Sequence, residues 1–256
     1  MAELRENRIK HKLANGELAT VIGGYLTPDL IEFIGLLGFD GVWLEAEHGP
    51  VDFADIGNLT RACDLWGMTS VVRINLNLQG VIYRTLDQGA QGIVVPHVNT
   101  AAEARAVVDG AKFHPIGSRG MFTSRQGLGV DRYAEKANDE TLVIVLIEDI
   151  EAVNHLSEII EVDDIDVFFV APGDLGQTMG YPGQYTHPKV VETVERTLDQ
   201  IISSGRVAGA LVNDSTVEAH ISRGVRFLYN SWQPWITAAG NSYLEKVSAA
   251  SLQKVR

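Results

Sequence analysis

"VWLEAEHGP", residues 42–50, runs from apolar residues into two acids and a histidine crowded before a Gly-Pro turn. Val42, Trp43 and Leu44 read as a strand covered on both faces, which is how strands of a parallel sheet are written. A plain core strand would stop there. Glu45, Glu47 and His48 instead follow at once, as they would if the strand opened at its carboxyl end onto a functional mouth.

The same grammar recurs along the chain. Eight short β-rich runs stand out: "TVIGG" (20–24), "GVWLEAE" (41–47), "SVVRI" (70–74), "QGIVVP" (91–96), "TLVIVLIE" (141–148), "DVFFVAP" (166–172), "RVAGALV" (206–212) and "RFLYN" (226–230). Helical spacing lies between them. In "TPDLIEFIGLLG", Thr27 is placed as N-cap, Pro28 at the first helical position and Gly38 past the end. "NTAAEARAVVDGA" offers a capping box, Thr100 with Glu103. "THPKVVETVERTLDQIISSG" opens near Pro188 and closes at Gly205. Eight strand–helix units predict an α/β fold, a TIM (β/α)8 barrel. The rival, a doubly wound open sheet, is weakened because "IGGYLTPD" carries neither a dinucleotide nor a phosphate loop.

No linker divides the chain, so residues 1–256 read as a single barrel domain. Residues 1–17 form an N-terminal helical extension and 112–140 a long, polar, glycine-rich loop insertion of the kind that carries function. At 256 residues and 45% hydrophobic content, a sizeable core is expected. The formal net charge of −12 argues against nucleic acid and against anionic membrane surfaces. The absence of a long apolar run or signal-peptide pattern points to a cytoplasmic protein. One cysteine, Cys63, excludes an internal disulfide and a cysteine metal cluster, and it reads as a small buried apolar residue.

A barrel gathers the carboxyl ends of its strands round one mouth, so polar residues there carry the information. Glu45, Glu47 and His48 end the second strand, Arg73 the third, Pro96-His97 the fourth and Glu148 the fifth. The sixth leads into "APGDLG" with Asp174. Any one of these reads as readily as the first solvated residue of a loop; five converging ends do not. Glu148 and Asp174 suit a hard divalent cation, with a proton-sharing dyad or glycosidase pair as alternatives. Arg73 would complement an anionic ligand. Gly173 removes bulk where backbone N–H groups opening a helix could hold a carboxylate, although an ordinary turn reads equally well. An acid beside His48 would orient its imidazole as a general base. Asp87 is misplaced for the helix dipole, which hints at another use.

Together "EAEHGP", "VVRI", "LDQGAQGIVVPHV", "SRG", "LIED" and "VAPGDLG" resemble the class II pyruvate aldolases of the HpcH/HpaI family, over roughly residues 15 to 245. That family includes 4-hydroxy-2-oxoheptanedioate, 2-dehydro-3-deoxyglucarate and 2-keto-3-deoxyrhamnonate aldolases. The resemblance implies a phosphoenolpyruvate/pyruvate-type barrel, a C-terminal helix exchanged between subunits, and assembly as a trimer or hexamer. It implies reversible cleavage of 4-hydroxy-2-oxo acids, in aromatic or sugar-acid catabolism, to pyruvate and an aldehyde through a metal-stabilised enolate. Carried over by position, Glu148 and Asp174 would hold Mg²⁺, Mn²⁺ or Co²⁺. Arg73 would bind the ketone or enolate oxygen, and His48 would be the base with its acidic neighbour Glu45. Gly173 and Asp174 would take the pyruvate carboxylate, Leu211 would line the substrate site, and Asp87 would lie at its entrance, in part across a subunit interface. Arg119 and Arg125 in the 112–140 loop are expected near the aldehyde.

Glu45 and Leu146 depart from the family's usual aspartate and glutamine. No strand end carries a lysine for Schiff-base chemistry; Lys112, Lys136 and Lys189 lie in loop or helical stretches. Three alternatives stay open: a lyase of acyl-CoA hydroxy acids, an oxaloacetate decarboxylase, and a non-catalytic relative that binds an oxo acid.

Overall fold

All eight apolar runs form strands. In the computed structural model, which describes residues 2–253, they are β1 (Ala19–Gly23), β2 (Gly41–Glu45), β3 (Thr69–Arg73), β4 (Gly92–Val95), β5 (Leu142–Ile147), β6 (Val167–Val170), β7 (Ala208–Leu211) and β8 (Phe227–Ser231). Each pairs in parallel with the next, and β8 closes on β1 with Val21 opposite Tyr229. The expected TIM barrel is the fold.

Period-two alternation divides each strand between two cores. One set points inward and fills the barrel, with Val21, Trp43, Val71, Val94, Ile144, Val167, Phe169 and Phe227 among its members. The other set, including Val42, Leu44, Val72, Ile93, Val143 and Phe168, packs beneath the helices. This explains why the runs are apolar throughout. Removing such a side chain from water is worth about 1.5–3 kcal/mol each. Inside the barrel the aromatic residues stack: Trp43 lies 4.7 Å from Tyr229 and 5.4 Å from Phe169 between ring centroids.

The helix punctuation is realised as read. Thr27 accepts the Leu30 N–H at 3.2 Å ahead of the helix Pro28–Gly35. Thr100 and Glu103 cap the helix Ala101–Ala111 reciprocally. The amphipathic helix Pro188–Ser203 begins at its proline. Cys63 is fully buried, and burial pushes its thiol far above the ordinary range.

The chain closes the amino-terminal end of the barrel with its first residues. A helix, Arg8–Ala14, sends Ile9 into the interior cluster, while the Asn7 side chain donates to the carbonyls of Gln91 and Glu140. Residues 112–140 join this end, because they follow a helix and lead into β5. They are less irregular than expected: a 3-10 turn, Arg125–Gly127, and a helix, Tyr133–Glu140, lie within them. Arg125 pairs with Asp64 at 2.7 Å and Arg119 with Asp87 at 2.7 Å. Within this chain, therefore, Arg119 and Arg125 stand at the opposite end from the strands' carboxyl termini, not beside a substrate at the mouth. Lys112 is buried there too, donating to the carbonyls of Asn138 and Thr141, and burial lowers its pKa to about 8. Among the described residues, no helix is long and apolar enough to cross a membrane.

Candidate active site

Strand register builds the mouth. Glu45 and Arg73 are the last residues of β2 and β3 and stand directly opposite each other. Trp43 and Val71, two residues earlier, face the barrel interior, so Glu45 and Arg73 face the same way at its rim. The Arg73 Nε donates to Glu45 Oε2 at 2.7 Å, and Nη1 lies 2.9 Å from Glu47 Oε2. The guanidinium is thus held between two carboxylates. Burial opposes its charge, but Glu45, Glu47 and Glu148 outweigh burial and raise its pKa further.

Glu45 does not touch the His48 imidazole. Its Oε1 accepts the backbone N–H groups of Glu47 (2.9 Å) and His48 (3.0 Å), and its Oε2 also accepts the Trp43 indole N–H at 3.3 Å. Glu45 therefore folds the loop and fixes Arg73, whereas the acid beside His48 Nε2 is Glu47, at 3.8 Å. Gly49 makes the wrap possible, since a Cβ there would lie 2.6 Å from the Glu45 side chain and carbonyl. The His48 ring is two-thirds exposed and free to meet a ligand.

Glu148 follows β5 and is 1% exposed. Its Oε1 accepts the backbone N–H of His97 at 2.9 Å; its Oε2 is buried with no hydrogen-bond partner among the described residues. Burial first, then the charges of Glu47 and Asp174, push its pKa up to about 7 against the opposing effect of His97. A carboxylate oxygen sealed from water and left unpaired is costly unless a cation or donor meets it. Asp174 lies in the first turn of the helix Pro172–Thr178, near enough to act on Glu148. Hard oxygen donors of this kind suit Mg²⁺, Mn²⁺ or Co²⁺. Among the described residues, no three His, Cys, Asp or Glu side chains converge into a ready-made cage. Two carboxylates would leave the remaining positions to water and substrate.

Gly173 is exposed, and a Cβ on it would meet nothing within 4 Å, so the approach to the first-turn N–H groups is open. Leu211 ends β7, half-exposed and opposite Tyr229 in register. Asp87 is not brought to this mouth. It closes the helix Gln79–Asp87 at the amino-terminal end of the barrel, where it pairs with the buried Arg119.

Two residues have larger parts than the sequence reading gave them. Glu47, 8% exposed, touches both Arg73 and His48; the alternation Trp43-Glu45-Glu47 already placed it on the inward side. His97 holds a left-handed backbone (φ 53°) that aims its N–H at Glu148, and its Nδ1 lies 2.9 Å from Asp149. Burial lowers its proton affinity, but the Asp149 hydrogen bond and the charges of Glu148, Asp149 and Glu47 raise it above an ordinary imidazole's. Backbone strain of this kind collects at functional sites.

The sequence profile of the HpcH/HpaI aldolase/citrate lyase family matches residues 25–231. The chain belongs to this family. Every mouth residue described above lies within the matched span. Among its relatives, the hydroxypyruvate/pyruvate aldolase of Sagittula stellata is 33% identical over 232 residues, covering 88% of this chain and 91% of that protein. The 2-keto-3-deoxy-L-rhamnonate aldolase of Klebsiella pneumoniae subsp. pneumoniae is 33% identical over 237 residues, covering 89% and 88%. Among solved structures, an HpcH/HpaI aldolase/citrate lyase family protein from Burkholderia cenocepacia J2315 superposes with a TM-score of 0.89 at 26% identity, covering 94% of this chain and 99% of that one.

The clamp predicts an order of stability. Glu45→Ala removes the acceptor for two loop N–H groups and one partner of Arg73, and should cost about 1–3 kcal/mol in urea unfolding. Glu45→Gln keeps an acceptor for the loop and should cost less. Equal midpoints for Glu45→Ala and the wild type would contradict this role.

Proposed function

We propose that the protein is a divalent-metal-dependent class II aldolase that reversibly cleaves 4-hydroxy-2-oxo acids to pyruvate and an aldehyde. The observation that carries the metal is the buried, unpartnered Glu148 Oε2 with Asp174 close by; the names of the relatives support the aldolase class. Glu148 and Asp174 would hold the cation, which supplies Lewis-acid polarisation of the 2-oxo group.

The remaining work belongs to the protein's side chains. Arg73, fixed by Glu45 and Glu47, faces the oxygen on which negative charge collects, and a donor already in place loses nothing to reorganisation. In cleavage, His48 takes the proton of the 4-hydroxyl, directly or through a water; the C3–C4 bond breaks and the aldehyde leaves. The electron pair moves into the pyruvate fragment as its enolate, and a proton returned to C3 completes pyruvate. Glu47 lies beside both His48 and Arg73, so one carboxylate sets the position of the base and of the guanidinium together. First-turn N–H groups at Gly173 and Asp174 would take the carboxylate, and Leu211 would line the aldehyde side. The lysine most changed by its surroundings, Lys112, is buried at the far end of the barrel, so Schiff-base chemistry at the mouth finds no support.

The same reading makes the protein a cytoplasmic homo-oligomer, a trimer or hexamer. The helix Gln233–Gln253 exposes Ile236, Tyr243, Leu244 and Val247 at helical spacing, an apolar stripe that would cover a second copy. Asp87 would enter the reaction only if such packing brought it to a neighbour's mouth. Light scattering should give a multiple of the 27.9 kDa chain, and a chain ending at residue 235 should fall to a smaller species. A monomeric full chain would overturn the assembly.

The activity is tested by pyruvate release from a panel of 4-hydroxy-2-oxo acids, coupled to lactate dehydrogenase, with and without EDTA. Release should need the cation, and Glu148→Ala should lower it about 10²–10³-fold. No metal-dependent release across the panel would overturn the aldolase reading, and full activity in Glu148→Ala would overturn the metal assignment.

A further inference from the structure

Tyr229 has no part in the chemistry above, yet it stands in the mouth. It occupies the middle of β8, and its ring leans inward across β1 onto Trp43, 4.7 Å away between centroids. Gly23 of β1 permits this: a Cβ there would fall 2.5 Å from the Tyr229 ring and 2.7 Å from its hydroxyl. The Tyr229 hydroxyl therefore lies over Gly23, close enough to Glu45 and Arg73 to feel their charges.

Three features mark this hydroxyl as more than packing. Among the described residues it makes no hydrogen bond to protein, and it is not among the polar atoms sealed from solvent without a partner. Burial of the ring, with the Glu45 charge, pushes its pKa up to about 12, so it stays a neutral donor. By barrel order β5, which Glu148 follows, stands opposite β1, over whose Gly23 the hydroxyl sits. Leu211, half-exposed and register-paired with Tyr229, supplies an apolar neighbour.

Resting on the aldolase reading, we propose that Tyr229 is a specificity-determining residue whose hydroxyl donates a hydrogen bond to an oxygen on the aldehyde-derived half of the substrate. With the oxo acid end held between Arg73 and the carboxylates that follow β5 and β6, whatever extends from the pyruvate methyl carbon toward β8 and β1 meets this hydroxyl. The stretch of mouth it serves combines one donor with the Leu211 side chain. An aldehyde carrying a second oxygen satisfies both, and its deoxy counterpart leaves the donor unpaired.

The test compares two aldehydes of nearly equal size, glycolaldehyde and propanal, as acceptors for pyruvate in the metal-loaded full-length protein. The wild type should favour glycolaldehyde in kcat/KM by about tenfold, the size of one neutral hydrogen bond, and Tyr229→Phe should bring the ratio towards one. The ratio cancels general damage to the site, and phenylalanine keeps the stack on Trp43. A wild-type ratio near one, or a ratio unchanged in Tyr229→Phe, would overturn the proposal. Failure of the wild type to form an adduct with either aldehyde would overturn the aldolase reading itself and this inference with it.

Discussion

The mouth depends on one guanidinium held by two carboxylates. Arg73 lies 2.7 Å from Glu45 and 2.9 Å from Glu47, and all three are largely withdrawn from water. Removing either acid would leave a cation near the end of an apolar barrel with too few partners, which is the costly way to break such a pair. Glu45 also gathers the loop N–H groups that place Glu47 and His48. A single contact thus sets the position of the arginine, the second acid and the imidazole together.

An acidic protein can still take an anionic ligand at such a mouth. A net charge of −12 repels anions at long range, but salt screens that field over about 10 Å. Within the mouth the local charges decide. There Arg73 is fixed in place, and Glu148 presents an oxygen that nothing in the described protein satisfies. The two ends of the barrel differ: the carboxyl ends of the strands gather Glu45, Arg73 and Glu148, while residues 112–140 and the first helix seal the other end with Arg125–Asp64, Arg119–Asp87 and the buried Lys112.

Most of the fold was legible because the strands are covered on both faces and several helices announce their ends. The eight runs, Thr27-Pro28 and Thr100–Glu103 are local signals, and local signals survive folding. The site was legible to the extent that barrel closure converts strand ends into neighbours, which brought Glu45, Arg73, Glu148 and Asp174 to one rim. Partners within that rim were harder to read. Glu45 stands three residues before His48, which suggested a contact with the ring, yet its oxygens are taken by backbone N–H groups, Trp43 and Arg73. The polar character of 112–140 suggested a loop at the substrate; its place after a helix puts it at the far end. Tyr229 carried no signal in the sequence, because its reach depends on a glycine on the neighbouring strand.

Arg73, held by its two acids, is proposed to stabilise the pyruvate enolate beside a cation that Glu148 and Asp174 would hold, and this role rests on the rim geometry. It is tested most directly by the exchange of pyruvate methyl protons for deuterium, followed by proton NMR in heavy water without any aldehyde. The methyl signal should be lost in a cation-dependent way with the wild-type protein and at least about a hundredfold more slowly with Arg73→Lys, whose point charge cannot meet both acids and the substrate as the planar fork does. Exchange at the wild-type rate in Arg73→Lys, or exchange indifferent to chelation, would contradict it.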